Sequence, residues 1–188
     1  MVDAARPVGR YRVRPMRLED VDEVAAIEKA SFSLPWPADT YRRDLRPDSL
    51  AHYLVCEQDG PRLVGYVGYW LIEDEAHIST IAVRPDLRNL GLGEYLLASM
   101  LEDARKQGAR SASLEVRVSN GAAQALYSKY DFRVSGRRRR YYRDNNEDAF
   151  IMEAPSLVSE EYRSHLRLRW QALVERLGLV TESAGVSC

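Results

Sequence analysis

Two glycines separated by a single residue, Gly91 and Gly93, stand between an apolar run and a segment with helical spacing. A glycine has no side chain, so its backbone can approach a ligand closely. The first N–H groups of a helix lack intrahelical partners and carry partial positive charge, which suits a phosphate or pyrophosphate. Arg88 adds a full positive charge three residues earlier. The spacing therefore predicts an anion-binding turn at the start of a helix.

Other phosphate-binding motifs do not match this turn. The P-loop requires Gly-Lys-Ser/Thr, whereas Glu94 and Tyr95 follow the second glycine. The dinucleotide fingerprint requires a third small residue, and Leu96 stands at that position. Taken alone, the glycine pair could equally belong to an ordinary turn.

The wider segment resembles the acetyl-CoA motif of the GNAT acetyltransferase superfamily. The match consists of Arg88-x-x-Gly91-x-Gly93 preceded by Ile81-Ala82-Val83-x-Pro85. In that family the turn binds the CoA pyrophosphate, and the preceding strand hydrogen-bonds the pantetheine arm. The resemblance implies that acetyl-CoA is the co-substrate. The residues expected to bind it are Ile81, Ala82, Val83, Arg88, Asn89, Leu90, Gly91, Leu92 and Gly93.

Glu115 and Tyr127 are candidates for acid–base chemistry. Acetyl transfer requires that the amine lose a proton and that the leaving thiolate gain one, roles that a carboxylate and a phenol can fill. Glu115 lies in an alternating strand pattern and Tyr127 in the next helical segment. Without further context, Glu115 could belong to a solvated strand face and Tyr127 to the core.

The segment from Leu114 to Tyr127 resembles the RimI-like branch of the superfamily, the ribosomal-protein alanine N-acetyltransferases. That branch contains Leu-Glu-Val-Arg, then Ser-Asn, then Ala-x-x-Leu-Tyr, and all three elements occur here in order. The resemblance implies that Glu115 is the proton acceptor, Tyr127 the proton donor and Asn120 a CoA contact.

Two further segments resemble the same branch. Ser31 to Trp36 is similar to its Phe-x-x-Pro-Trp element, and Arg138 to Met152 is similar to its Arg-Arg-x-Tyr-Tyr loop and Glu-Asp-Ala strand. The chain departs from the pattern at Thr80, where we expect Asn, and at Asp131, where we expect Gly. The resemblance implies that the acceptor is contacted by Phe32, Trp36, Tyr141 and Tyr142.

The acceptor is expected to be the α-amine of a protein N-terminus, with a ribosomal protein as the candidate. The pKa of an α-amine is about 8 and that of lysine about 10.4, so removing the proton is easier by roughly 3 kcal/mol. Three alternatives stay open: acetylation of a small-molecule amine or a lysine, a non-catalytic CoA-binding regulatory domain, and a nucleic-acid-binding module on the run Arg137 to Arg140. That run could also contact the CoA 3′-phosphate or only solvent.

The elements that must position these residues follow the order β, α, α, β-β-β, α, β, α, β, β. This order predicts an α/β (α+β) fold with helices on both faces of a mixed, mostly antiparallel sheet; by resemblance it is GNAT-like. We expect a disordered lead-in over 1–9, the acetyltransferase domain over 10–155 and a C-terminal helical extension over 156–188. A helix over 157–178 should pack its apolar face against protein and be dispensable for chemistry. That face carries Leu166, Trp170, Leu173 and Leu177.

The length, net charge and residue composition of the chain limit where the protein acts and what it binds. Its 188 residues carry a net charge of -1, so neither direct nucleic-acid binding nor a membrane surface is expected. No apolar run reaches the roughly 20 residues of a membrane span, and the first ten residues lack a signal-peptide core. Two cysteines and three histidines show neither disulfide nor metal-ligand spacing. We expect a cytoplasmic enzyme without metal, either monomer or homodimer.

Overall fold

A computed structural model describes residues 11–60 and 62–179, and the expected lead-in over 1–9 lies outside this part of the chain. Its strands and helices follow the predicted order. The elements are β1 (Tyr11–Pro15), α1 (Val21–Ser31), α2 (Ala38–Asp44), β2 (Ala51–Gln58), β3 (Arg62–Ile72), β4 (Glu75–Val83), α3 (Leu92–Lys106), β5 (Ser111–Arg117), α4 (Gly121–Ser128), β6 (Arg133–Tyr142), β7 (Glu147–Ala154) and α5 (Glu160–Leu177).

The strands form one seven-stranded sheet in the order β1-β2-β3-β4-β5-β7-β6. Every neighbouring pair is antiparallel except β4 and β5, which are parallel. Successive residues of β2 alternate between two cores. Leu54 and Cys56 pack on the side of α3, whereas Tyr53 and Val55 pack on the side of α1 and α2. The predicted mixed, mostly antiparallel sheet with helices on both faces is confirmed.

The parallel pair β4–β5 is short. Its register joins Glu75–Ile78 to Ser111–Leu114, although β4 continues to Val83 and β5 to Arg117. Beyond Ile78 and Leu114 the two strands therefore separate. A gap in the middle of the sheet leaves backbone groups of both strands available to a ligand.

A β-bulge in β4 lies where the two strands begin to separate. Opposite Gly68 and Tyr69 of β3, the register of β4 passes from Thr80 to Ile78 and leaves Ser79 unpaired. One extra residue reverses the alternation of the strand. Ile78 consequently belongs to the core under α3, whereas Ala82, four residues later, belongs to the core under α1.

The final hairpin differs from its prediction. The sequence pattern predicts two short strands here, over 132–134 and 149–152, with a polar loop between them. Both strands are present, but their predicted bounds are wrong, because β6 and β7 extend to a tight turn over 143–146. The arginine run Arg137 to Arg140 therefore lies in β6, at the edge of the sheet. Charged residues are well suited to an edge strand, since they discourage pairing with another chain.

Helix α5 packs against the domain, as the sequence predicts. Leu166 and Leu173 are buried in the core under α3, and the ring of Trp170 lies 5.6 Å from that of Tyr95. Asp131, which replaces the expected glycine, has a positive φ of 60°. Its carboxylate lies 2.9 Å from Nδ1 of His165 on α5. The departure from the family pattern thus forms an attachment point for the extension.

Replacing Leu173 by alanine tests this packing. The side chain is 1% exposed, so Leu173→Ala should lower the free energy of unfolding by about 2–5 kcal/mol through lost burial and a cavity. Leu168→Ala on the same helix is the control, because Leu168 is 67% exposed and its loss should change stability by less than about 0.5 kcal/mol. Equal effects in chemical denaturation would contradict the packing of this face.

Candidate active site

A cavity of about 1030 Å³ opens at the start of α3. The end of β4, the glycine turn, α4 and the last turn of α5 surround it. The predicted CoA-binding and catalytic residues that line it are Ile81, Val83, Arg88, Asn89, Leu90, Gly91, Gly93 and Tyr127. The structure thus brings the phosphate-binding turn and the proposed proton donor to one cavity.

Gly91 and Gly93 are each occupied by glycine for a different physical reason. Gly91 has φ = 95°, a left-handed conformation that only glycine adopts without strain. A Cβ on Gly93 would meet Cδ2 of Leu126 at 3.8 Å and Cγ2 of Val83 at 3.9 Å, which is ordinary contact. The fold itself would therefore accept a side chain at Gly93. Its absence keeps the backbone at the start of α3 open to the cavity, as a pyrophosphate requires.

A buried carboxylate with two cations lies beside this turn. Oε2 of Glu94 accepts hydrogen bonds from Nη2 of Arg176 at 2.8 Å and Nζ of Lys129 at 3.2 Å. Burial acts to raise the pKa of Glu94, but these two partners outweigh it and hold the pKa below its ordinary value. Glu94, Arg176 and Lys129 together carry one net positive charge, because the single carboxylate neutralises only one of the two cations. Both cations line the cavity. An anionic ligand fits this donor set.

Four predicted CoA residues have structural contacts of their own. Arg88 donates from Nε to the carbonyl of Val83 and from Nη2 to Ser31 Oγ, both at 3.2 Å, which ties the turn to α1. The side chains of Ala82 and Leu92 are buried in the two cores. Oδ1 of Asn120 accepts from the backbone N–H of Ala123 and caps α4. Any contact of the two core residues with CoA must therefore come from their backbone.

Glu115 lies where β5 separates from β4, with a side chain only 6% exposed. Its Oε2 is 3.1 Å from Nε2 of His77, and its Oε1 is 3.2 Å from Nη2 of Arg138. Tyr142 donates from its hydroxyl to the backbone carbonyl of Glu115 at 3.4 Å, and the pKa of Tyr141 is raised by burial and then by the charge of Glu115. The predicted base and the predicted tyrosine pair are thus brought together.

Sequence reasoning missed His77 and Arg138 as neighbours of this carboxylate. His77 shows no metal-ligand spacing, and Arg138 is one member of an arginine run. A usable signal existed, since Glu75 and His77 alternate with apolar residues just as Ser113 and Glu115 do. That pattern predicts a polar face on each strand, but not that the two strands are neighbours.

Tyr127 is 6% exposed and lines the cavity. Its pKa is raised, first by burial and then by the negative charge that Tyr142 would carry if ionised. A phenol with a raised pKa keeps its proton at neutral pH, so it is able to donate that proton. Tyr142, which donates to the backbone carbonyl of Glu115, also lies close enough to Tyr127 to influence its pKa.

The loop between α1 and α2 carries Phe32 and Trp36. The backbone N–H of Trp36 donates to Oε1 of the buried Glu28 at 3.0 Å. The ring of Trp36 stacks on Trp70 with centroids 6.4 Å apart, and Trp70 stacks on His77 at 5.9 Å. A column of aromatic rings therefore connects this loop to the neighbour of Glu115.

Phe32 lines a second cavity of about 400 Å³, together with Arg117 and Glu147. Nη1 of Arg117 donates to Oε2 of Glu147 at 3.1 Å, and the hydroxyl of Ser33 donates to Asp144 across the cavity. Hydrogen bonds from Ser119 and Asn145, followed by Arg117, lower the pKa of Glu147 to about 2. The predicted acceptor side, which includes Phe32, is thus bounded by charged groups at neutral pH.

Comparison with known proteins gives the family. The model of the acetyltransferase (GNAT) family matches residues 21–132. An Escherichia coli (strain K12) ribosomal protein bS18-alanine N-acetyltransferase is 37% identical over 142 residues, which cover 73% of this chain and 94% of that protein. A relative from Bacillus subtilis (strain 168), named as a candidate for the same activity, is 49% identical over 140 residues, or 74% of this chain and 92% of the relative.

The fold agrees with solved structures. The crystal structure of the ribosomal-protein-S18-alanine N-acetyltransferase from Escherichia coli superposes with a TM-score of 0.72 at 31% identity, over 80% of this chain and 97% of that one. The chain belongs to the GNAT family of acetyltransferases. It is an N-acetyltransferase that uses acetyl-CoA, as members of this family do.

Across residues 11–60 and 62–179, no three His, Cys, Asp or Glu side chains are grouped in a way that would hold a metal ion. In the same part of the chain, no helix has the length and apolar character needed to cross a membrane.

Gly93→Ala separates the needs of the ligand from those of the fold. Alanine favours a helix over glycine by up to about 1 kcal/mol, so the melting temperature should hold or rise. The added methyl group enters the cavity beside the turn, and the affinity for CoA measured by calorimetry should fall about tenfold or more, a loss of about 1.4 kcal/mol. Gly121→Ala at the start of α4, where a Cβ meets nothing within 4 Å, is the control. Unchanged CoA affinity in Gly93→Ala would remove this turn from the binding site.

Proposed function

We propose that this protein acetylates the α-amine of a protein N-terminus, of the ribosomal-protein alanine type. The observation that carries the proposal is the position of Glu115, a nearly buried carboxylate where β4 and β5 separate, bordered by Tyr141 and Tyr142. The names of the relatives from Escherichia coli and Bacillus subtilis support ribosomal protein bS18 as the acceptor. Such an acceptor would place the reaction in the cytoplasm.

In this proposal the residues exchange protons as follows. The ammonium group of the acceptor loses one proton to Glu115. Its nitrogen then bonds to the acetyl carbonyl carbon, the thioester C–S bond breaks, and the sulfur takes a proton from the hydroxyl of Tyr127. The nitrogen releases a second proton as the amide forms, which replaces the one that Tyr127 gave. One proton in total leaves through Glu115, and the protein returns to its starting state.

Arg138 and the tyrosine pair surround the base and restrict access to it. Nη2 of Arg138 lies 3.2 Å from Oε1 of Glu115, so the carboxylate has a cationic partner. The ring of Tyr142 is covered by the guanidinium of Arg117 at 3.9 Å, which fixes the ring's position. An α-amine needs less help in losing its proton than a lysine does, and a single carboxylate suits it.

We also propose that the extension contributes to acetyl-CoA binding. The sequence predicts a domain over 10–155 that is complete without the extension over 156–188. However, a Cβ on Gly91 would meet Nη2 of Arg176 at 2.9 Å, so this guanidinium lies directly over the phosphate-binding turn. Arg176 also shares Glu94 with Lys129, so the carboxylate beside the turn does not present an uncompensated charge to a phosphate. The last turn of α5 therefore supplies a cation to the pyrophosphate site.

Arg176→Gln tests the contribution of α5. The variant should bind CoA about tenfold more weakly in calorimetry, because a charged hydrogen-bond donor is lost. Its binding should also depend less on salt, since one fewer charge meets the phosphates. S-acetylpantetheine, which lacks the diphosphate, should bind the variant and the wild type equally. Arg167→Gln is the control, because Arg167 pairs with Glu160 on the solvent side of the same helix. An equal loss for both ligands would show that Arg176 acts only through packing.

A peptide screen tests the acceptor. N-terminal peptides that begin with alanine, with another residue or with a blocked α-amine are incubated with acetyl-CoA, and the acetylated position is read by mass spectrometry. Glu115→Gln keeps the shape of the base but removes its basicity, so its turnover should fall about 10²- to 10⁴-fold while its affinity for acetyl-CoA holds. Acetylation of internal lysines in the blocked peptides would contradict an α-amine acceptor.

A further inference from the structure

A chain of four polar side chains leads from the proposed base to the surface. His77 contacts Oε2 of Glu115 through Nε2 at 3.1 Å, and its Nδ1 lies 2.9 Å from Oγ of Ser113. The hydroxyl of Ser113 in turn donates to the carboxylate of Glu75. Glu75 is exposed to solvent, whereas Ser113 is buried. The chain therefore connects a nearly buried carboxylate to water through side chains alone.

The register of β4 and β5 creates this arrangement. The parallel pairing places His77 beside Ser113, and alternate residues of each strand share a face. Glu75 and His77 on β4 thus lie on the same face as Ser113 and Glu115 on β5. Trp70, opposite His77 on β3, stacks on the imidazole with an interplanar angle of 15° and holds the plane of the ring.

The protons available on Ser113 and His77 determine which group donates in each hydrogen bond of the chain. Ser113 has one hydroxyl proton, which it donates to Glu75. The hydrogen bond between Ser113 and His77 must then be donated by Nδ1–H of the histidine. In the neutral ring this leaves Nε2 as a proton acceptor, and it faces the carboxylate of Glu115 at 3.1 Å. Nε2 is therefore placed to take up a proton that reaches Glu115.

We propose that His77 is a positioning residue that receives, through Glu115, the proton removed from the acceptor amine and passes it to Glu75. This inference rests on the proposed function, in which Glu115 is the base. The proton moves from Glu115 to Nε2 of His77, the Nδ1 proton moves to Ser113, and the hydroxyl proton of Ser113 moves to Glu75 and then to water. Each group gains one proton and loses one, so Glu115 is ionised again while the acceptor groove is still closed. The imidazole is left as the Nε2–H tautomer, and it returns to the Nδ1–H tautomer by exchange with water after the product has left.

Other charged groups around the pair favour this direction. Arg138 contacts the second oxygen of Glu115 at 3.2 Å. Tyr141 and Tyr142 are further titratable neighbours of Glu115, and burial raises the pKa of both, so they stay neutral. On the far side, Glu75 provides a negative charge that attracts the proton along the chain. The groups that face His77 are therefore Glu115, Ser113 with Glu75 behind it, and the uncharged ring of Trp70.

Three variants test the relay. His77→Ala should lower kcat about 10- to 100-fold and leave the KM for acetyl-CoA unchanged. Ser113→Ala keeps the contact between His77 and Glu115 but breaks the exit, and should lower kcat by a smaller factor. Added imidazole should restore the activity of His77→Ala as its concentration rises, because a small base replaces the missing proton acceptor. His52→Ala is the control, because His52 also stacks on a ring, that of Tyr69, but lies outside the chain.

A measurement on the free enzyme adds an independent readout. In ¹⁵N-histidine NMR, the ring of His77 should carry its proton on Nδ1 in the wild type and change its tautomer population in Ser113→Ala. Wild-type kcat in both His77→Ala and Ser113→Ala, or the absence of rescue by imidazole, would overturn the relay. If Glu115→Gln is inactive at the same time, the proposed function survives that result. If Glu115→Gln is fully active, the proposed base itself is wrong.

Discussion

The separation of β4 from β5 is the constraint on which the rest of the molecule depends. Two parallel strands that stay paired would satisfy each other's backbone groups and leave no room for a ligand. Here the pairing ends at Ile78 and Leu114, just before the bulge at Ser79. The gap places the carboxylate of Glu115 at the centre of the sheet, beside the strand whose end leads into the phosphate-binding turn. The single bulge in β4 thus affects both the strand end that leads to the glycine turn and the surroundings of Glu115.

The polar side chains near this gap are stabilised by one another. Glu115 is paired with Arg138 and His77, and Glu28 holds the backbone of Trp36. A buried carboxylate is costly unless its oxygens have partners, so these contacts are a condition for placing Glu115 out of water. The same rule explains Glu94, whose charge is tolerated beside a phosphate-binding turn because Lys129 and Arg176 accompany it.

The C-terminal extension is joined to the domain at three points of different chemistry. Leu166 and Leu173 bury apolar surface, His165 meets Asp131, and Arg176 reaches Glu94. The apolar contacts follow from the helical spacing of the sequence. The two ionic contacts join α5 to Asp131, which follows α4, and to Glu94 in the first turn of α3. An element outside the region matched by the family model therefore borders the cofactor cavity.

The sequence by itself determined the order of the elements, the two-sided sheet, the glycine turn and the identity of the candidate acid and base. These features depend on local patterns, namely apolar alternation, helical spacing and motifs whose residues are close in the chain. Only the tertiary structure decided that β6 continues through the arginine run, that a bulge exchanges the faces of β4, and that His77, Arg138 and Arg176 reach the site. The features of the sheet depend on which strands are neighbours and on their register, because a shift of one residue moves every side chain to the other face. The position of Arg176 depends on how α5 packs beside α3. No local pattern in the chain carries that information.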